Sequence, residues 1–301
     1  MSRFVVTGAA GFIGSHLAEA LRARGDEVVP VDAFTDYYDP SLKEHNAAGL
    51  DVLRLDLAEE TLDLAGVDGV FHLAGQPGVR TSWGGDFELY VRRNVVATQR
   101  VLEAAVPAGV RVVFASSSSI YGDAEAYPTP EETEPRPISP YGITKLACEH
   151  LLYAYRAEAV VLRYFTVYGP RQRPDMFFAR MLSALAEGTE FTLYGDGSAS
   201  RSFTYVDDAV GATIAAMERG RGVYNVGGGV ETTVRDAIAL AERISGRTLD
   251  VGRREAQAGD VRRTRADTER IRTDLGWEAS RPLEQGLRAQ WEWASSKVAA
   301  R

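Results

Sequence analysis

The sequence predicts an α/β fold in which a doubly wound parallel sheet carries a smaller, interleaved α/β domain. Residues 3–7 form a short β-branched run that leads directly into a glycine-rich turn and a helical pattern. Further apolar strand runs alternate with helical patterns along the first half of the chain, an order typical of parallel sheets. The chain has 301 residues and 45% apolar content, which is enough for one large core or two modest domains.

The first strand and its turn form a candidate phosphate site. Gly8, Gly11 and Gly14 follow the strand, and a helical pattern begins beside Phe12 and Ile13. This order lets backbone N–H groups and a helix N-terminus bind a pyrophosphate, and glycine is required because a side chain would block the approach. The spacing is G-x-x-G-x-x-G instead of the more familiar G-x-G-x-x-G, so the turn alone is a weak indication.

The second strand indicates which cofactor is bound. Residues 27–31 end in Asp32, about 20 residues past the glycines, where an acid binds adenosine ribose hydroxyls in Rossmann-type domains. A carboxylate there repels a 2′-phosphate, so the sequence favours NAD over NADP; the alternative for Asp32 is a plain turn residue. Asp56 and Leu57 follow a strand at 51–55 and are interpreted as an adenine-contacting pair.

The next two strands lead to the predicted ligand-binding edge. Residues 67–73 form a strand followed by an Ala-Gly pair, small residues against which a cofactor can lie. Asn94 is expected to open the following helix. The strand at 111–115 then delivers a serine run, residues 116–119, to its carboxyl end, where open parallel sheets bind ligands.

Tyr141 and Lys145 form the candidate catalytic pair. Pro140 is typical of a first helical turn, and residues four apart on a helix face the same side. A free phenol ionises near pH ~10 and is a poor base in neutral water, but a nearby ammonium favours its phenolate. Tyr141 could then take a proton from a sugar or alcohol hydroxyl. Taken alone, five residues with this spacing are more often a chance pair on an amphipathic helix.

Composition argues against several classes of protein. The formal charge of −8 argues against nucleic-acid binding, and no apolar run approaches the ~20 residues that a membrane helix needs. The N-terminal residues enter a strand pattern directly, with no signal-peptide pattern, so we expect a cytoplasmic protein. A single cysteine, Cys148, fits a reducing compartment. The four histidines lack ligand spacing, so no metal site is expected.

An ordered set of motifs carries a family resemblance. They are T-G-A-A-G-F-I-G at 7–14, Asp32, Asp56-Leu57, H-L-A-G at 72–75, S-S-S-I-Y-G at 117–122, Y-G-I-T-K at 141–145 and R-Y-F-T-V-Y-G-P at 163–170. From residue 3 to about 290, the chain resembles the extended short-chain dehydrogenase/reductases, in their nucleotide-sugar epimerase/dehydratase branch. The resemblance implies an enzyme that keeps tightly bound NAD+ and acts on a UDP-sugar.

The resemblance assigns roles to individual residues. It implies that Tyr141 is the acid and base, that Lys145 binds the cofactor ribose and tunes Tyr141, and that Ser117 polarises the reacting hydroxyl. The implied cofactor-binding residues are Gly8, Gly11, Phe12, Ile13, Gly14, Asp32, Asp56, Leu57, Leu73, Ala74, Gly75, Asn94, Tyr141, Lys145 and Tyr164. The implied substrate-binding residues are Arg80, Ser117, Ser118, Ser119, Thr166, Arg171, Met176, Arg201 and Arg263. Solvated faces for Arg201 and Arg263, and core packing for Met176, stay open as alternatives.

The residues that follow Ser117 separate the reactions of this branch. Related 4,6-dehydratases follow the catalytic serine or threonine with an Asp-Glu pair that eliminates water, whereas this chain has Ser118 and Ser119. Decarboxylases of UDP-glucuronate place a glutamate and an arginine around the lysine of their Y-x-x-x-K, and residues 142–144 offer neither. The resemblance therefore implies epimerisation, an isomerase reaction.

Several segments resemble the UDP-glucuronate 4-epimerases in particular. They are residues 36–43, residues 78–82, Thr166, residues 171–176 and Q-A-G-D-V at 257–261. Ala258 and the Gln76-Pro77 pair depart from the pattern of those enzymes. A 4-epimerase of UDP-glucose and UDP-galactose, a 4-ketoreductase of nucleotide sugars and an NAD-sensing scaffold stay open as alternatives.

The implied reaction is a transient oxidation at C4 of the sugar. Tyr141 removes the hydroxyl proton, hydride passes to NAD+, and the 4-keto sugar turns over before hydride returns to its other face. A 4-keto uronic acid is a β-keto acid, which is prone to lose CO2. We hypothesise that charge-assisted hydrogen bonds hold the carboxylate against this loss. The residues in that hypothesis are Ser117, Ser118, Ser119 and Thr166, with Arg171.

The same resemblance suggests how the chain is divided and how it assembles. Residues 1–165 and about 203–226 are expected to form the NAD-binding domain, and about 166–202 and 227–301 the nucleotide-sugar-binding domain. Family members commonly dimerise through the helix bearing Tyr141 and the helix near Asn94. A homodimer is therefore expected, with no nucleic-acid or membrane partner.

Overall fold

The structure is a computed structural model that describes residues 1–255 and 263–299, so the Q-A-G-D-V segment at 257–261 lies outside the described residues. The strands are β1 (Arg3–Thr7), β2 (Glu27–Asp32), β3 (Leu53–Arg54), β4 (Gly69–His72), β5 (Arg111–Ser117), β6 (Ala159–Tyr164), β7 (Thr166–Tyr168), β8 (Phe191–Tyr194), β9 (Ser200–Tyr205), β10 (Gly222–Val226), β11 (Glu231–Thr233), β12 (Val251–Arg254) and β13 (Arg263–Thr264). The α-helices are α1 (Phe12–Ala23), α2 (Pro40–Asn46), α3 (Phe87–Tyr90), α4 (Ala97–Ala108), α5 (Pro140–Ala154), α6 (Phe177–Glu187), α7 (Val206–Arg219), α8 (Val234–Ser245), α9 (Glu269–Leu275) and α10 (Leu283–Ala299).

Seven strands of the described chain form one large sheet in the order β10-β6-β5-β4-β1-β2-β3. Every neighbouring pair in this sheet is parallel. From β1 the order runs one way through β2 and β3 and the other way through β4, β5 and β6, so a switch point lies between β1 and β4. At such a point the carboxyl ends of the strands open a crevice that binds ligands. The predicted doubly wound α/β fold is confirmed.

Alternate residues of the central strands fill two cores, one on each face of the large sheet. Val6 belongs to one cluster with Phe71, whereas Val5 belongs to another with Val70 and Val112. This division follows from the two-residue period of a strand, in which successive side chains point to opposite faces. All five side chains are fully buried. Burial on both faces explains why these strands have nearly unbroken apolar sequences.

The second half of the described chain adds two smaller sheets. In one of them β9 pairs with β7, β11 and β13, and in the other β8 pairs with β12. Tyr168, Phe178, Phe203 and Tyr205 pack together against this part, with ring centroids 4.6 to 6.3 Å apart. Aromatic packing of this kind ties α6 to β7 and β9.

The chain crosses between the large and the smaller sheets more than once. It leaves the large sheet at Tyr164, enters the β9 sheet at Thr166, and returns to the large sheet at Gly222. Residues 203–205, which the sequence assigns to the NAD-binding domain, lie in β9 and pair within the smaller sheet. The assignment of each residue to one of two domains stays a prediction.

The prediction that Asn94 opens a helix is wrong. Helical structure runs without a break from α3 through a π-helical segment, Val91–Val96, into α4, so Asn94 lies inside it. A π-helical turn changes the face that a residue presents, and Asn94 is buried here.

The helix that carries Tyr141 begins as the sequence predicts. Ser139 precedes it, and the Ser139 hydroxyl accepts a hydrogen bond from the backbone N–H of Gly142 at 3.1 Å. Pro140 occupies the first turn, where its missing N–H costs nothing. Local sequence alone therefore fixes where α5 starts.

Candidate active site

A cavity of about 1210 Å³ opens at the carboxyl ends of β1, β4, β5 and β6, and residues of β8 and β9 close its other side. The predicted site residues that line it are Gly8, Gly11, Phe12, Ile13, Gly14, Asp32, Asp56, Leu57, Leu73, Ala74, Gly75, Arg80, Ser117, Ser118, Ser119, Tyr141, Lys145, Tyr164, Thr166, Met176, Arg201 and Arg263. Two predicted site residues that the structure describes, Asn94 and Arg171, do not line it. The structure thus brings the candidate catalytic, cofactor and substrate residues into one space.

The glycine turn between β1 and α1 is packed closely against backbone atoms, its own and those after β4. Gly8 has a φ of +72°, and a Cβ on it would lie 2.8 Å from the backbone nitrogen of Ala74. A Cβ on Gly14 would lie 2.1 Å from the carbonyl oxygen of Gly8. No side chain fits at either position, and the turn leaves the N-terminus of α1 facing the cavity.

Asp32, at the end of β2, is held by two backbone N–H groups. Its carboxylate accepts from Ala10 N at 3.1 Å and from Phe34 N at 2.8 Å. Burial raises the pKa of Asp32, while the nearby ammonium of Lys43 opposes that rise. Lys43 lines the cavity and donates to the backbone oxygen of Thr35 at 2.7 Å. The site therefore offers an oriented carboxylate for a ligand hydroxyl.

Asp56 lies further along the same edge and is paired with an arginine. Arg92 donates from Nη2 to Asp56 Oδ2 at 2.8 Å, and Ala58 N donates to Oδ1 at 2.9 Å. The carboxylate is therefore fixed in place at the cavity wall, next to the apolar side chain of Leu57.

The side chain of Asn94 hydrogen-bonds to the backbone of the turn after β4 and does not line the cavity. Its Oδ1 accepts from Gln76 N at 2.6 Å, and its Nδ2 donates to Gln76 O at 3.1 Å and to Thr144 Oγ1 at 3.0 Å. A Cβ on Gly75 would lie 2.8 Å from Asn94 Oδ1. The structure therefore places Asn94 behind Gly75, where it joins the cofactor edge to α5, and not on the cavity wall.

Tyr141 and Lys145 lie one turn apart on α5, and both line the cavity. The ammonium of Lys145 donates to the backbone oxygen of Ala115 at 2.9 Å and lies 5.0 Å from the centre of the Phe114 ring. The Tyr141 ring contacts the edge of the Tyr90 ring, with centroids 6.3 Å apart. Lys145 is thus anchored between α5 and β5, beside the tyrosine.

His72 lies at the end of β4, and both of its ring nitrogens are hydrogen-bonded to threonine hydroxyls. Nδ1 is hydrogen-bonded to Thr7 Oγ1 at 2.8 Å and Nε2 to Thr98 Oγ1 at 3.1 Å. Burial, reinforced by the charge of Lys145, lowers the pKa of His72 to about 3. A neutral, fully hydrogen-bonded imidazole has no free nitrogen for proton transfer, so Tyr141 is the better candidate acid and base.

The serine run is presented at the carboxyl end of β5. The Ser117 hydroxyl accepts from Ser119 N and donates to Ser119 Oγ, both at 3.1 Å. Ser117, Ser118 and Ser119 line the cavity together with Thr166 from β7. The result is a set of neutral hydroxyl groups, with no carboxylate among residues 117–119.

Three predicted arginines reach the cavity from different elements. Arg80 stacks on the ring of Tyr194 at 4.3 Å, across the gap between the β4 loop and β8. Arg201 on β9 and Arg263 on β13 come from paired strands, in which Arg263 lies opposite Ser200. Arg263 also stacks on Tyr127 at 3.7 Å. These side chains supply positive charge for an anionic ligand.

Arg171 does not line the cavity. Arg173 does, although the sequence did not mark it as a candidate site residue. Arg171 has a φ of +63° and pairs with Glu19 at 2.7 Å. Arg173 lines the cavity and pairs with both oxygens of Asp175 at 3.0 Å. Burial works against its charge, but the ion pair with Asp175 raises the pKa of Arg173. The R-Q-R-P-D sequence contains both arginines, and their different ion-pair partners distinguish them in the structure.

Among residues 1–255 and 263–299 there is neither a metal-ligand cluster nor a membrane-spanning helix. These residues contain no group of three or more His, Cys, Asp or Glu side chains that could hold a metal ion. Within the same residues, no helix has both the length and the apolar character needed to cross a membrane.

Residues 4–227 match the NAD dependent epimerase/dehydratase family. The chain belongs to this family. The predicted epimerase/dehydratase branch and NAD as its cofactor are thereby confirmed.

Three relatives of this family member are similar over nearly their whole length. The UDP-glucuronate 4-epimerase of Thermodesulfobacterium geofontis is 33% identical, over 99% of this chain and 98% of its own. The UDP-glucuronic acid 4-epimerase of Bacillus cereus, solved with UDP-glucuronic acid and NAD, is 39% identical, with a TM-score of 0.94 over 98% of this chain and 99% of that one. MoeE5, solved with UDP-glucuronic acid and NAD, is 43% identical, with a TM-score of 0.88 over 98% and 100%. A second MoeE5 structure contains UDP-glucose and NAD.

The residues on one side of the cavity fit the NAD of this epimerase/dehydratase family. The glycines at 8 and 14 let the turn pack closely on backbone atoms, and the turn leads into a helix N-terminus suited to a pyrophosphate. Asp32 offers its carboxylate at the place expected for ribose hydroxyls. Lys145 lines the same cavity.

Proposed function

We propose that this protein is a 4-epimerase that interconverts UDP-glucuronate and UDP-galacturonate and retains NAD+ between turnovers. The observation that carries the proposal is that Ser117, Tyr141 and Lys145 line the same cavity as the glycine turn, while residues 118 and 119 are serines. The dehydratases of the family need an acid pair at those two positions to eliminate water. The side chains present here support proton transfer from a hydroxyl instead.

Each catalytic side chain has a separate task in this proposal. Tyr141 takes the proton of the sugar O4 and returns it, because it lines the cavity with Ser117 and lies one helical turn before the anchored ammonium of Lys145. Lys145 holds its charge in place through its bond to Ala115 O. Ser117 presents its hydroxyl to O4 from the end of β5. When bound, NAD+ supplies reversible hydride acceptance, so the sugar carbon is oxidised and reduced with no net redox change.

The hydroxyl set beside Ser117 supports the choice of an acid sugar. A 4-keto uronate loses CO2 readily, so its carboxylate must be held in an orientation that disfavours cleavage. Ser118, Ser119 and Thr166 are proposed to hold it through charge-assisted hydrogen bonds. The carboxylate-holding role predicted for Arg171 is assigned to Arg173, because Arg173 lines the cavity and interacts electrostatically with Tyr141.

The far end of the cavity is proposed to bind the nucleotide. Arg201 and Arg263 come from the paired strands β9 and β13, so their charges can meet one diphosphate. Arg80, stacked on Tyr194, closes the cavity between the β4 loop and β8. Met176 lines the same region and is proposed to contact the uracil.

The test is to incubate the purified enzyme with UDP-glucuronate and no added cofactor, and to follow the anomeric protons by NMR. Formation of UDP-galacturonate to a stable mixture supports both retained NAD+ and acid-sugar epimerisation. Turnover of UDP-glucose alone would favour a UDP-glucose 4-epimerase, an alternative supported by the MoeE5 complex with UDP-glucose. Turnover only with added cofactor indicates a 4-ketoreductase, and NAD binding with no turnover indicates a scaffold.

We also propose that the protein is a cytoplasmic homodimer. Helices α3 and α5 pack against each other. Four large apolar or aromatic side chains on or beside them are exposed: Trp83, Phe87, Ile143 and Tyr153. A second copy would cover these side chains in a four-helix bundle. Light scattering should then give the mass of two chains, and a Tyr153→Glu substitution should shift it toward one. The buried free thiol of Cys148 fits a reducing compartment.

A further inference from the structure

A buried ion pair lies directly behind the serine run, outside the cavity. Glu149 on α5 and Arg163 on β6 form a two-point contact, Arg163 Nε to Glu149 Oε1 at 3.1 Å and Nη2 to Oε2 at 2.8 Å. Their side chains are only 9% and 7% exposed. Both are described by the structure, and neither lines the cavity. None of the catalytic tasks described above uses them.

Glu149 connects helix α5, which carries Tyr141 and Lys145, to strand β5, which carries Ser117. It lies one turn after Lys145 on α5, and its Oε1 accepts a hydrogen bond from Ser116 Oγ at 2.5 Å. Lys145 Nζ donates to Ala115 O at 2.9 Å, one residue earlier on β5. Helix and strand are therefore joined by two successive contacts, and Ser117 is the next residue along the strand.

Arg163 is itself held on every side. In the sheet it pairs with Ser116 across β5 and β6. Its Nη1 donates to the Tyr121 hydroxyl at 2.7 Å and to the backbone oxygen of Glu131 at 2.9 Å. With Nε and Nη2 bonded to Glu149, each guanidinium nitrogen has a partner. A buried network with all its groups satisfied is rigid, so the carboxylate of Glu149 has one place to lie.

We propose that Glu149 and Arg163 are positioning residues, which fix the Ser116-Ser117 end of β5 against α5 and so set the Ser117 hydroxyl relative to Tyr141. A buried ion pair is weak evidence for stability, because removing two charges from water costs about as much as their attraction returns. Its two-point geometry and its place between the two catalytic elements give it a geometric role instead. This inference rests on the proposed epimerase reaction.

A neutral isostere of Glu149 disturbs that geometry with little change in volume. In Glu149→Gln, one acceptor oxygen becomes an NH2 donor. Whichever way the amide turns, that donor faces an N–H of Arg163, from Nε at one position and from Nη2 at the other, so at least one contact must lengthen. We expect kcat to fall by about ten- to a hundredfold, the range that loss of an orienting partner typically produces. KM should stay within about threefold, because the proposed nucleotide contacts are elsewhere, and bound NAD should be unchanged.

Ser116→Ala provides a second, milder variant. It removes the hydroxyl through which Glu149 reaches β5 and leaves the ion pair intact. If Glu149 acts through Ser116, the two substitutions are not additive, and the double variant should lose little more kcat than Glu149→Gln alone. A merely structural role predicts lower stability with an unchanged kcat per folded molecule. Should Glu149→Gln not fold, Ser116→Ala decides the question.

The matched control is Glu158→Gln. Glu158 pairs with Arg111 at 3.3 Å at the opposite end of the same two strands, away from the cavity. The kcat, KM and bound NAD of the Glu158→Gln variant should equal those of the wild type. All variants are assayed at a temperature at which circular dichroism shows them folded.

Two results would overturn the proposal. One is a wild-type kcat in Glu149→Gln or in Ser116→Ala. The other is a parallel loss of kcat, substrate affinity and bound NAD, which would indicate general damage to the fold. The kinetics use whichever of UDP-glucuronate and UDP-glucose the wild type converts. Conversion of UDP-glucose alone would therefore reject the proposed substrate while the positioning role is still tested.

Discussion

Gly14 is the position where one added methyl group tests the cofactor turn most sharply. A Cβ there would lie 2.1 Å from the carbonyl oxygen of Gly8, instead of the 3.4 Å at which ordinary contact begins, a shortfall of 1.3 Å. It would also lie 2.8 Å from the carbonyl carbon of Gly8. Both neighbours are backbone atoms, so no side-chain rotation relieves the clash. Gly14→Ala must therefore move the turn that we propose faces the pyrophosphate.

Two opposing contributions set the size of the effect. Gly14 lies in α1, where replacing glycine by alanine normally raises stability by about 0.5–1 kcal/mol. Forcing extra volume against packed atoms costs about 1–3 kcal/mol. We expect a net loss of up to about 2.5 kcal/mol in the free energy of unfolding. Bound NAD should fall as well, because the displaced Gly8 carbonyl narrows the space for the pyrophosphate.

The assay measures NAD released per chain by denaturing the purified protein, together with urea unfolding of the stripped enzyme. Gly211→Ala is the matched control, because Gly211 also lies in a helix, α7. Its Cβ would have Trp277 Nε1 as nearest atom at 3.7 Å, an ordinary contact. The control should gain stability and keep its NAD. Wild-type NAD content and stability in Gly14→Ala would refute the reasoning.

Three further predictions concern charge and the sugar carboxylate. Burial lowers the pKa of His72 to about 3 in the folded protein. Below pH 6.5 the unfolded chain therefore binds more protons than the folded one, and the free energy of unfolding decreases as the pH is lowered. This group alone should cost about 2 kcal/mol in urea unfolding between pH 7 and pH 5, a slope that His72→Gln removes. Ser118→Ala combined with Ser119→Ala should release UDP-pentose, detectable by mass spectrometry; clean epimerisation by that variant would contradict the carboxylate-holding role. Asp32→Asn should lower the NAD/NADP preference of the stripped enzyme by at least about tenfold in fluorescence titration, since a like-charge repulsion is lost; an unchanged ratio would argue against it.

The parts of the site that depend on local sequence could be predicted. A glycine turn with positive φ at Gly8 can be recognised because few other residues fit there. Ser139 and Pro140 identify the start of α5, and the four-residue spacing then places Tyr141 and Lys145 together. Strand β5 ends in serines at the edge where ligands bind. Each of these inferences needs only a few neighbouring residues.

The parts that depend on long-range contacts could not be predicted. Arg171 and Arg173 are two residues apart, yet Arg171 pairs with Glu19, which is distant in sequence, and Arg173 lines the cavity. Asn94 is buried by contacts with Gln76 and Thr144, which are distant in sequence. The pair of Glu149 and Arg163 likewise joins a helix to a strand, and nothing in the sequence marks the two as partners.

The central claim is that hydride leaves and returns to the same sugar carbon within one enzyme-bound cycle. UDP-glucuronate that carries deuterium at C4 tests it directly when the reaction is run in ordinary water and followed by NMR and mass spectrometry. If the hydride returns to C4, the UDP-galacturonate formed keeps its deuterium at C4, with no added cofactor. Loss of the label to water would contradict it, because it would mean that the configuration changes through proton exchange and not through Tyr141-assisted oxidation and reduction at C4.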